Sequence, residues 1–101
     1  MSVLVTVKIK GDVAAFRKSL VDHAADLEKF AAIGRENGAI HHRFGIGDGY
    51  VLVIDEWESV EQFEKFFGDP DMHAFIGSMG GDTSQPPEIT VAEAISSVDE
   101  F

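Results

Sequence analysis

Cysteine is absent from the 101 residues, and with it go disulfides, thiolate zinc sites, iron–sulfur clusters and cysteine nucleophiles. Basic residues are scarce as well: eight Lys and Arg stand against 18 Asp and Glu, a formal charge of −10. A protein grips a phosphate backbone by neutralising it with Lys and Arg, so no nucleic-acid partner is expected. An uncharged or apolar small molecule fits better, and the bulk acidity otherwise serves solubility. No apolar run approaches a membrane-spanning length. The opening MSVLVTVKIKGDVAAF has neither a basic leader nor a small-residue cleavage site, so no membrane partner and a cytoplasmic location are expected. Proline is rare, and neither a repeat nor a low-complexity tract is visible.

What is present describes one soluble domain over residues 1–101, with 45% hydrophobic residues around a modest core. In SVLVTVKIK, Val3, Val5, Val7 and Ile9 alternate with Leu4, Thr6, Lys8 and Lys10, which predicts a strand over 2–10. Asp12 then caps a long helix in which Val13, Phe16, Leu20, Ala24, Leu27 and Ala31 recur at steps of three and four to about Glu36. Strands over 39–46 and 50–57 flank Gly47-Asp48-Gly49, a hairpin signal. Ser59 and Gln62 form a capping box ahead of Val60, Phe63, Phe66 and Phe67. Asp69-Pro70 starts a short helix with Met72, Phe75, Ile76 and Met79 on one face. After a loop over 80–88, a last strand alternates from Ile89 to about Val98.

The order β-α-β-β-α-β predicts a ferredoxin-like α+β fold, a four-stranded antiparallel sheet with its helices on one face. The third strand is apolar on both sides, Val51 and Val53 against Tyr50, Leu52 and Ile54, and the fourth repeats the pattern. Helices on one face leave the other uncovered, and a second copy of the chain is the simplest cover. A homodimer is therefore expected.

His41 and His42 are adjacent on a strand, so they point to opposite faces and cannot chelate one metal together. Only His23 and His73 remain, at no ligand spacing, and no metal site is expected. A two-residue turn at Asp48-Gly49 sets His42 opposite Asp55, His41 opposite Glu56, Ile40 opposite Trp57 and Phe44 opposite Val53; a bulged three-residue turn would bring His41 to Asp55 instead. A histidine oriented by an acid is what a general base requires, with Trp57 as a flat wall for an aromatic substrate. The same pairs also stabilise a sheet by roughly 0.2 to 1 kcal/mol without any chemistry. Arg43 shares a face with His41 and is placed to reach Glu56 diagonally. His73 is a second candidate base over the open end of the space beneath the helices, and Phe63, Phe66, Phe67, Phe75, Met72 and Met79 are suited either to an apolar cavity or to plain core. His23 is read as surface. Ser59 has no histidine partner, and GIGDG at 45–49 lacks the helix N-terminus of a phosphate loop.

The entry at Gly38, the junction DEWESVEQF at 55–63, the segment DPDMHAFIG at 69–77 and the Pro-bearing loop before the last strand resemble the dimeric α+β barrel superfamily, and within it the antibiotic biosynthesis monooxygenase-like domains. The likeness covers essentially the whole chain. It implies a cofactor-independent monooxygenase acting on a small aromatic or quinone-like metabolite held between sheet and helices, with His42 or His73 as the base, Asp55 as its orienting acid, and Trp57, Phe44, Phe63, Phe66, Met72 and Met79 around the substrate. No cofactor is implied. The same superfamily holds haem-degrading enzymes, polyketide cyclases and chlorine-oxide dismutases. Many monooxygenase-like members carry a histidine where this chain has Phe66, which leaves a non-catalytic binding or interaction module, or a cyclase or isomerase, as alternatives. Haem-degrading members need a tryptophan at that same position, an iron-ligating histidine where this chain offers Phe75 or Ile76, and an asparagine in the first strand.

Overall fold

The computed structural model describes residues 2–101. Eight elements follow one another: β1 (Val3–Lys10), α1 (Val13–Asp22), α2 (Ala24–Glu36), β2 (Ala39–Gly47), β3 (Tyr50–Trp57), α3 (Val60–Phe67), α4 (Pro70–Ser78) and β4 (Glu88–Glu93). The strands form one antiparallel sheet in the order β2-β3-β1-β4, the ferredoxin-like α+β arrangement. Strand alternation sends Val5 and Val7 of β1 and Val51 and Trp57 of β3 to the helix side, where they are buried with Phe16, Phe63, Met72 and Met79.

Three sequence expectations are corrected. The long first helix breaks at His23, whose backbone (φ −111°, ψ 24°) leaves the helical region. A straight helix from 13 to 36 would run about 36 Å, past strands of about 27 Å; the break turns α2 back over the sheet, and His23 N–H still reaches Ser19 O at 2.8 Å. His23 is consequently half-buried at the joint, edge-on to Phe75 with centroids 5.9 Å apart, and not a free surface group. The last strand ends at Glu93 because its partner β1 begins at Val3; Ala94 N–H on Ser2 O closes the ladder at 3.1 Å. Beyond it Ile95, Val98 and Phe101 are exposed. Finally, a bulge at Ile40 sets Ala39, not Ile40, opposite Trp57, so the smaller side chain lies against the indole.

The hairpin otherwise takes the two-residue register: His42 pairs with Asp55, His41 with Glu56 and Phe44 with Val53. Ser59 caps α3, its hydroxyl accepting from Gln62 N–H at 3.3 Å and donating to Gln62 Oε1 at 2.8 Å, and Asp69 caps α4 through Asp71 N–H at 2.8 Å. At the far end, Gly80 (φ +106°) lets the chain leaving α4 run against α1, its carbonyl taking Asp12 N–H at 2.9 Å.

Candidate functional site

The buried side chains fall into two clusters, one around Val5, Val7, Trp57 and Phe63, the other around Phe16, Val51 and Met79. Between them lies a cavity of about 600 Å³. An empty, dry void of that size would forfeit about 14 kcal/mol at the cavity scaling measured for core deletions, as much as the whole stability of a typical domain, about 5–15 kcal/mol. The space is instead open between α2 and the sheet-edge strand β2, where Glu28, Arg35 and His42 are exposed along its rim. It is a chamber for solvent or ligand, within the size range of small-molecule sites.

The expected wall residues Phe44, Trp57, Phe63, Phe66, Met72 and Met79 all line this chamber. Their rings pack on one another. Phe66 tilts onto Trp57 at 5.2 Å, Trp57 meets Phe63 edge-on at 5.9 Å, and Phe44 stands edge-on to Phe16 at 5.1 Å. Gly34 of α2 lies beside Phe66, whose ring would be in ordinary contact, 3.6 Å, with a Cβ there.

One polar cluster interrupts the apolar lining. His42 Nδ1 lies 2.7 Å from Asp55 Oδ1, and Trp57 Nε1–H donates to Asp55 Oδ2 at 3.0 Å. Asp55 is 9% exposed and Trp57 1%. The carboxylate thus accepts at both oxygens, which places a proton on His42 Nδ1 and leaves Nε2 as the basic nitrogen. His42 is itself packed edge-on against Phe44 at 4.7 Å. The Asp55–Trp57 bond is the feature that sequence reading missed; the i, i+2 spacing on one strand face was its only trace.

Other candidates stand outside this hydrogen-bonded cluster. His73, expected over the chamber, is exposed on α4 and lines a separate hollow with Phe67, Ile76 and the 82–87 loop. In that loop, hydrogen bonds from the Ser84 and Gln85 side chains hold the Asp82 carboxyl below the usual carboxylate range. His41 and Arg43, opposite Glu56 and Ile54, flank His42 along β2, and both also border the chamber. Arg43 forms no ion pair with Glu56 among the described residues; Glu56 accepts instead from Ser2 Oγ at 2.6 Å. Among the described residues no group of three or more His, Asp or Glu is placed to hold a metal ion, and no helix is long and apolar enough to cross a membrane.

No family model matches the sequence, and no curated protein matches it. Solved structures do match in fold. The monooxygenase ActVA-Orf6 of Streptomyces coelicolor, in complex with nanaomycin D, superimposes with a TM-score of 0.68 at 18% identity over 99% of this chain and 93% of its own. SnoaB of Streptomyces nogalater, a cofactor-independent oxygenase, gives 0.63 at 14% identity over 98% of each chain. Rv0793 of Mycobacterium tuberculosis gives 0.62 at 17% over 98% of this chain and 100% of its own. The architecture of sheet and helices built above is therefore a fold that this chain shares with these structures, two of them oxygenases.

Proposed function

We propose that the protein is a cofactor-independent monooxygenase whose substrate is a small aromatic or quinone-like metabolite. The observation that carries this reading is the meeting of one oriented imidazole, His42 on Asp55, with a chamber walled mainly by aromatic and aliphatic side chains and rimmed by Glu28 and Arg35. His42 Nε2 takes a proton from an acidic ring C–H or O–H, and the electron-rich anion reacts with dioxygen. A ring methylene that becomes a carbonyl supplies all four electrons that dioxygen needs: one oxygen atom stays on carbon and the other leaves as water. The protein has to provide a base, a dry wall and room for oxygen. Two neighbours in fold are oxygenases, which supports the general kind of chemistry.

The experiment is oxygen uptake by the pure protein with anthrone and a panel of naphthohydroquinones. Uptake above buffer that is lost in His42→Ala supports the reading; a rate equal to buffer, or a His42→Ala variant as fast as wild type, removes it. A second reading rests on the same dyad: proton transfer alone makes a polyketide cyclase or isomerase, and turnover under strict anaerobiosis selects it. Phe66, where many relatives carry histidine, favours a third, a binding module, for which a bound metabolite without turnover is the signature.

The proposal includes a cytoplasmic homodimer. Leu4 and Ile54 are 47% and 48% exposed on the outer face of the sheet. They lie between two polar rows, Lys8 with Tyr50 and Glu88 at one end and Ser2 with Glu56 at the other. An apolar centre within a polar rim is the anatomy of an interface.

A further inference from the structure

We infer that Trp57 is a positioning residue whose indole N–H locks Asp55, and through it holds His42 in the tautomer that a base requires. This rests on the reading of His42 as the base. The sequence casts Trp57 as a platform for substrate, yet its ring is almost wholly buried and its single polar atom is committed to Asp55. An aspartate bonded only to the half-exposed His42 would be free to turn about its carboxyl torsion, which is broad and soft. The second bond, from a ring wedged against Phe63 and Phe66, fixes the carboxylate plane. That plane then dictates where His42 Nδ1–H points and so which tautomer the neutral ring adopts. Rigidity runs from the core, through a hydrogen-bonded carboxylate, to a side chain at the chamber mouth, the supporting-shell logic of precise sites.

A filler of the core would act by shape alone, so the test removes the N–H and keeps the shape. Trp57 is replaced with benzothienylalanine, in which sulfur stands for N–H, and the ring ¹⁵N resonances of His42 are recorded at mildly alkaline pH. Wild type should show the Nδ1–H tautomer. The analogue should show a mixture of both tautomers and, with an anthrone substrate, a kcat lowered about tenfold at little-changed KM, as for a small misplacement of a reacting group. A wild-type ¹⁵N pattern in the analogue overturns the inference. So does an unprotected Trp57 indole proton in hydrogen exchange on the wild-type protein, a measurement that needs no variant to fold. A tautomer shift without oxygen uptake in wild type leaves the lock standing and removes only the monooxygenase reading.

Discussion

His42 is 43% exposed at its side chain and Asp55 only 8%, an asymmetry that fits the proposed parts of a fixed, buried acid and an imidazole open to a ligand. His42→Ala is expected to lower turnover by about 10² to 10⁴, the usual worth of a general base, whereas His73→Ala, outside the chamber, should match wild type in the same oxygen-electrode assay. Asp55→Ala strands the buried Trp57 N–H without an acceptor and should lower unfolding free energy by about 1–3 kcal/mol, read by urea denaturation. The His42–Asp55 pair was legible in the sequence because alternation and turn length together determine which residues face each other across a hairpin. The Trp57–Asp55 bond was not, since a pattern of faces says nothing about which way an indole turns. His73 is a related case: its position after Asp69-Pro70 gives its neighbourhood but not which of two adjacent hollows it lines.

Among the elements, the capped starts of α3 and α4 are written in local chemistry, Ser59 with Gln62 and Asp69 before Pro70, and were readable directly. Ser59→Ala is expected to cost about 1 kcal/mol of stability, as for other N-caps, measured by chemical denaturation. The break at His23 and the early end of β4 depend on how far the neighbouring strands extend, which is a tertiary fact that periodicity does not carry. Gly80 is similar: a Cβ there would stand 2.9 Å from Asp12 O and 3.0 Å from Ala15 Cβ at a backbone angle of +106°. Gly80→Ala should therefore destabilise by more than the 0.4–1 kcal/mol that roughly bounds the gain at an unstrained site, with a lowered denaturation midpoint as the readout.

At the scale of the whole molecule, the two faces of the sheet have different fates. One is roofed by helices that stand off enough to leave the chamber; the other leaves Leu4 and Ile54 exposed, where the proposed second copy would sit. Sedimentation at micromolar concentration should report a dimer, and Ile54→Asp a folded monomer that retains the His42–Asp55 bond. The chamber itself was the least legible feature, because the same Phe and Met residues describe a filled core equally well from sequence. Its presence makes thermal denaturation a gauge of occupancy: whatever binds the native interior and not the unfolded chain raises the melting temperature by mass action, about 2.7 kcal/mol at a hundredfold excess over Kd. A metabolite library ranked by that rise would identify the natural guest of this hollow protein without any assumption about the reaction it undergoes.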